Sequence, residues 1–205
     1  MTKKQLYKDF FLHADITVMV ALLAAIAGTH LALYGASFRS AIFFAAGLIG
    51  FMFSEYLTHR FFFHLKAPSN PFFLKLLKRL HYDHHSFPND LKLLFLPLWY
   101  SLPIFVVFVG ACYLITDLTD ASAAFAAGLI AMLLIYEWKH YVAHRPLQPR
   151  TKLGKWVKKT HLLHHFKNEN FWYGVSTPFV DAIFGTLKDE KQVPTSAFVK
   201  DLEGR

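Results

Sequence analysis

Ten of the twelve histidines in this 205-residue sequence fall into four groups: His59 and His64; His81, His84 and His85; His140 and His144; His161, His164 and His165. Neutral imidazole is a ligand for iron, zinc and copper. Ten rings exceed what one ion accepts, so the count points to two metal ions with about five nitrogens each. Residues three or four apart share a helix face, which predicts that His81, His84 and His85 point one way. The same holds for His140 with His144, and for His161 with His164 and His165. His59 and His64 are five apart, roughly 140° around an ideal helix. They reach one site only if the helix is bent, ends between them, or flanks the metals on two sides. An all-imidazole site leaves the metal charge uncompensated, so carboxylates are expected behind the ligands. Glu55 lies one turn before His59, and Glu137 three residues before His140. The plainer alternative pairs these glutamates with Arg60 or Lys139 at headgroup level. His13 and His30 stand alone and read as interfacial or packing residues. The chemistry requires no nucleophile beyond the metal ligands.

The elements that carry these residues are membrane helices. Hydrophobic residues make up 54% of the chain, charged residues only 18%, and 22 positions are Phe. That balance is wrong for a soluble domain of this length and right for a single integral-membrane domain spanning residues 1–205. Four apolar stretches approach the roughly 20 residues needed to cross a bilayer: Asp15 to Tyr34, Ser40 to Leu57, Leu96 to Ile115 (with Pro97 and Pro103 near its start) and Ala121 to Tyr141. The first is too long, and too soon followed by the second, for a cleaved signal peptide. Cys112 sits in an apolar run and has no second cysteine to pair with. The net charge of +8 comes without any nucleic-acid motif; its basic residues flank apolar spans, which indicates a membrane surface and no nucleic-acid partner. Among the connections, Arg39 is the one basic residue between the first and second spans, and Thr116 to Asp120 has none. By the positive-inside rule both termini and the Lys66 to Lys92 segment face the cytoplasm. The histidines begin where the second and fourth spans end on that face. Two amphipathic helices are expected there, one capped by Asn70-Pro71 and one over Thr151 to Phe166, each ending in a histidine cluster.

Taken in order, HRFFFH, HYDHH, HYVAH and HLLHH resemble the fatty acid hydroxylase and sterol desaturase superfamily. The runs EYLTHRFFFHLKAPSN, HYDHHSFPNDLKLLFLP, HYVAHRP, THLLHHF and GVSTPFVDAIFGTL are most similar to the branch that hydroxylates carbon 2 of sphingolipid fatty acids. The likeness covers roughly residues 40 to 190. It implies an all-α integral-membrane fold of four transmembrane helices with a cytosolic helical cap holding the di-metal site. By analogy all ten box histidines are metal ligands. The implied cofactors are two iron ions, with dioxygen as co-substrate; imidazole suits zinc as well, so a purified sample can hold zinc. The implied activity is hydroxylation of a membrane lipid. The rival readings are a sterol-like or carotenoid substrate, desaturation in place of hydroxylation, a three-box acyl desaturase, and a membrane metal carrier. A carrier would place its ligands near the middle of the spans. Eukaryotic members of the branch carry an amino-terminal cytochrome b-type domain with a His-Pro-Gly-Gly motif. This sequence lacks it, so electrons are expected from a separate carrier, a ferredoxin- or cytochrome-type protein with its reductase. The Asp181 to Thr186 stretch matches a family element read as closing the cap. Phe61, Phe62 and Phe63, between the first ligands, read as packing residues. A multi-pass protein of a bacterial inner membrane, or of the endoplasmic reticulum in a eukaryote, fits these features.

Overall fold

The computed structural model describes residues 1–205, and its regular structure is all helical. Helix α1 spans Lys3–Phe11, α2 Ala14–Tyr34, α3 Phe38–Leu57, α4 Pro71–Leu77, α5 Asp83–Ser86, α6 Leu91–Leu94, α7 Leu98–Thr116, α8 Thr119–His144, α9 Lys152–Phe166 and α10 Phe179–Ile183. Four stretches are long and apolar enough to cross a membrane: Ala14–Tyr34, Phe38–Phe63, Leu91–Thr116 and Thr119–His144. These are the four stretches the sequence predicts, although the second runs on past Leu57 to Phe63 and the third starts at Leu91 instead of Leu96, and they mark a membrane protein. The chain gathers into two compact units, Met1–Phe51 with Leu96–Glu137, and Met52–Phe95 with Trp138–Arg205.

The first unit is built of membrane-type helices. Side chains such as Leu31, Leu33, Val106, Leu114 and Ile115 face outward, as lipid-facing positions do. Its α8 portion is the most buried, and it is lined by small residues: Ala121, Ala124, Ala126 and Ala127. There Gly47 and Gly128 let two helix backbones touch. A Cβ on Gly128 would come 2.1 Å from the Phe44 carbonyl oxygen, and one on Gly47 2.2 Å from that of Phe125. Small residues allow this approach, and dispersion between backbones holds it where no water is available to drive association. Arg39 pairs with Asp120 in the first turn of α8 at 2.7 Å, where an acidic side chain also complements the helix dipole. His30 is buried with its Nε2 2.9 Å from the Ser40 hydroxyl. His13 stands at the N-cap of α2.

The second unit carries the histidines. Asn70 caps α4 by accepting the N–H groups of Phe72 and Phe73, with Pro71 in the first turn. Thr151 caps α9 by accepting the Gly154 N–H. Both caps satisfy donors that a helix start leaves unpaired. Lys158 does the same for carbonyls at the other end of a helix. Its Nζ donates to Val142, Arg145 and Leu147 oxygens at 2.9–3.0 Å, closing the end of α8 beside His144. Between α3 and α4, and again between α4 and α5, the chain winds into π turns at Thr58–Phe63 and Lys78–Tyr82.

Candidate metal centre

The π turn at Thr58–Phe63 resolves the five-residue spacing of His59 and His64. In a π helix the hydrogen bond runs from i to i+5, so residues five apart stack as residues four apart do in an α-helix. The two rings lie 5.1 Å apart, centroid to centroid. Phe63, inside the turn, is buried and stacks on His81 at 5.3 Å, whereas Phe61 is exposed.

All ten box histidines are buried, and they divide into two groups of five. One group is His59, His64, His81, His85 and His164; the other is His84, His140, His144, His161 and His165. Within each group one nitrogen per ring lies within 4.8 Å of all the others. The sequence predicted that each box faces one way, and the boxes are in fact shared. His81 and His85 serve the first group while His84 serves the second. His161 and His165 serve the second while His164 serves the first. Neighbouring residues on a helix diverge by about 100°, so each His-His pair straddles two centres while the i, i+4 partner returns to one. The centres touch through His85 and His165, whose rings stack at 4.1 Å.

Backbone carbonyls aim the first group. The Nδ1–H of His59 donates to Tyr173 O at 2.5 Å, that of His164 to Phe171 O at 2.8 Å, and that of His85 to Val199 O at 2.8 Å. These bonds assign the proton to Nδ1 and leave a bare lone pair on each Nε2. Burial pushes the rings of His64, His81, His84, His161, His164 and His165 well below 6.5, and His85 to about 3. They are therefore neutral at physiological pH, the form that ligates. Three neutral lone pairs converging on one point repel unless a cation lies between them.

The Nε2 to Nε2 distances fit such a cation. In the first group they are 3.2 Å for His59 with His81, 2.9 Å for His81 with His64, and 3.1 Å for His64 with His164. In the second they are 2.8 Å for both His84 with His140 and His144 with His161. Imidazoles bound at about 2.1 Å at right angles would lie about 3.0 Å apart.

A family model described as fatty acid hydroxylase matches residues 44–186. The chain belongs to the fatty acid hydroxylase family. It is 36% identical to the mouse fatty acid 2-hydroxylase over 155 residues, which are 74% of this chain and 41% of that protein. It is 34% identical to the fission yeast ceramide very long chain fatty acid hydroxylase scs7 over 158 residues, 74% of this chain and 44% of that one. With the Arabidopsis dihydroceramide fatty acyl 2-hydroxylase FAH1 the identity is 33% over 150 residues, 71% and 60% of the two chains. The chain thus spans less than half the length of the mouse and fission yeast relatives. A solved structure of full-length scs7p, in which only the hydroxylase domain is visible, matches with a TM-score of 0.78. That match has 25% identity and covers 88% of this chain and 67% of the other.

In this member of the fatty acid hydroxylase family the donor set, ten neutral nitrogens in two buried groups, fits two metal ions of the imidazole-loving kind. The loop from Phe171 to Thr186 is the part that sequence reasoning left least developed. Trp172, between the two carbonyls that accept from His164 and His59, adopts φ +60°, a strained value for a bulky residue. Its buried indole donates to Lys188 O, and its N–H to Thr186 O. Asp181 accepts the N–H groups of Tyr173 and Gly174 and the Thr186 hydroxyl, each at 2.7 Å. Burial raises its pKa, and these three donors work against that rise. Glu55 lies behind the same loop, its carboxylate accepting from Val175 and Ser176 N–H at 2.6 and 3.0 Å. Its link to His59 therefore runs through the loop. Glu137 accepts the Leu96 N–H at 2.9 Å. Lys139 donates to Ser176 O and Arg60 to the Tyr56 hydroxyl. The Tyr173 ring packs on His59, His64 and His164 at 5.2–5.6 Å, and burial holds its hydroxyl pKa at about 12.

Proposed function

We propose that the chain hydroxylates carbon 2 of a fatty acyl chain in a complex membrane lipid, as one functional domain over residues 1–205. In this reading the ten histidines hold two iron ions and dioxygen is the co-substrate. The observation that carries it is the pair of buried five-imidazole groups in a member of the fatty acid hydroxylase family. Overall, a C–H bond becomes C–OH and the second oxygen atom leaves as water, with two electrons supplied by a reductant and two protons by the solvent. When bound, the iron pair supplies the oxidising power that no side chain here possesses. The side chains supply position and dryness. The Phe171 and Tyr173 carbonyls orient His164 and His59, Asp181 and Glu55 hold the loop that bears those carbonyls, and the ring of Tyr173 covers three ligands. Glu55 and Glu137 act behind the ligands, not on substrate.

Both termini and the histidine groups face the cytoplasm in this reading, on the strength of the basic residues beside the spans. The reductant is a separate acidic electron carrier of the ferredoxin or cytochrome type. A groove of about 650 Å³ along the outer side of α9 suits it, with Leu162, Leu163 and Phe166 as floor and Lys155, Lys159 and Lys167 at its rim. Phe166 is exposed, and its ring lies 6.3 Å from that of His165.

The deciding experiment is lipid analysis of a host that expresses the chain with a suitable donor. A lipid gaining one oxygen on carbon 2 of its acyl chain is the expected product. It should vanish in His84→Ala and His164→Ala. Product persisting in either variant overturns the di-metal reading, and a lipid that has lost two hydrogens means desaturation instead.

A further inference from the structure

The family match ends at residue 186, yet chain beyond it reaches back to the ligands. Between Val193 and Leu202 it buries Val193, Val199 and Leu202. It is fastened at both ends. Near its start, Asn168 donates to Pro194 O at 3.0 Å and Ser196 N–H to Lys167 O at 2.8 Å. Further on, Leu202 packs with Leu77 and Tyr82 in one apolar cluster, Glu203 pairs with Lys78 at 2.6 Å, and the Arg205 guanidinium donates to His64 O and Leu65 O. Between these anchors the strap presents two carbonyls to the HYDHH helix. Val199 O accepts the Nδ1–H of His85, and Lys200 O accepts the Ser86 hydroxyl, each at 2.8 Å.

We propose that residues 193–205 form a positioning strap for the first five-histidine centre, with the Val199 carbonyl fixing the tautomer and aim of His85 and Arg205 steadying the backbone of His64. The inference rests on the metal-binding reading above. Its basis is asymmetry. The strap meets two ligands of the first group, and it meets them through the groups that decide where a ring points. A carbonyl behind a ligating imidazole sets which nitrogen is free and raises its basicity, and loss of such a partner costs about 10- to 100-fold in metal affinity. A strap that only covered the fold would weaken both centres alike, through general loss of stability.

The test uses the full-length protein loaded with ferrous iron, or with cobalt as a visible reporter of ligand geometry. Leu202→Ala and Arg205→Gln, singly and together, loosen the strap while leaving all ten histidine side chains in place. Leu6→Ala, at a buried position of α1, serves as a control for general destabilisation. Metal stoichiometry and the rate of release to a chelator are followed with the cobalt spectrum. The expected result is that one ion of the two leaves about 10- to 100-fold faster in the double variant, with a changed spectrum for that site only. The control should affect both ions alike, by no more than its fall in melting temperature accounts for. Release of both ions at the wild-type rate in the strap variants, or acceleration of both in step with the fall in melting temperature, refutes the strap. A wild-type protein that binds fewer than two ions overturns the metal reading itself, and the strap with it.

Discussion

Replacing Gly174 with alanine inserts one methyl group at the tightest point behind the first centre. Its Cβ would stand 2.2 Å from Thr177 O and 2.7 Å from Asp181 Oδ2. Carbon and oxygen in contact need about 3.3 Å, so the backbone must move by roughly 1 Å, because one of the obstacles is itself a carbonyl. Gly174 N–H and Tyr173 N–H are two of the three donors held by Asp181, and Tyr173 O is the group on which His59 rests. A shift of that size takes the 2.5 Å bond between His59 Nδ1 and Tyr173 O to about 3.5 Å, beyond hydrogen bonding. Overpacking costs about 1–3 kcal/mol, and a strained bond to a carboxylate adds about 1.5 kcal/mol. For a protein of this length that lowers the melting temperature by roughly 5–18 °C. The metal affinity of the first centre should fall about 10- to 100-fold. Thermal unfolding in detergent with and without metal, and competition against a graded series of chelators, measure the two effects. A variant that melts and holds metal as the wild type does would show that the loop does not aim the ligands.

Gly128→Ala gives the opposite division: a Cβ 2.1 Å from Phe44 O should cost about 1–3 kcal/mol in detergent unfolding, while metal retention at the histidines stays unchanged. The metal-free protein should lose stability as pH falls. The buried rings, pushed far below 6.5 by desolvation, stay neutral when folded but take up protons when unfolded. The stabilisation is full above 6.5 and fades below it, by up to about 1.4 kcal/mol per pH unit for each ring; denaturation of metal-free protein at several pH values reads the slope. Reversing the groove charge with Lys155→Glu and Lys167→Glu should raise KM for an acidic carrier and flatten its salt dependence. Turnover driven by a small chemical reductant should not change, and steady-state assays with both reductants compare the two.

Much of this was visible in the residues, because apolar length and histidine spacing are written in side chains. The Thr151 cap came only with the structure, whereas the spans, the Asn70-Pro71 helix start and the ten clustered rings were visible in this way. The sharing of HYDHH and HLLHH between two centres was not, since a helical face gives direction only to within a turn and cannot say which metal a ring serves. The spacing of His59 and His64 left three geometries open, and a π turn, which no residue type specifies, is what brings them together. The carbonyls of Phe171, Tyr173 and Val199 had no signal at all. Every residue carries such a group, and only tertiary structure selects three. A partial trace existed in the stretch from Asp181 to Thr186, whose carboxylate and hydroxyl bind the loop together.

The long reach between partners in the first centre bears on the order in which the protein is made. His64 and His164 are 100 residues apart, and His85 and Val199 are 114 apart. At about 5–20 residues per second, five histidines of the first two boxes wait roughly 5–20 s for the last box to be synthesised. During that interval the chain displays a half-formed set of nitrogen donors with no walls around it. Such a set favours whichever divalent ion binds nitrogen most tightly, copper and zinc ahead of iron. In the proposed di-iron reading, the ions at hand while the last box is still unmade therefore bear on which metal the finished protein encloses.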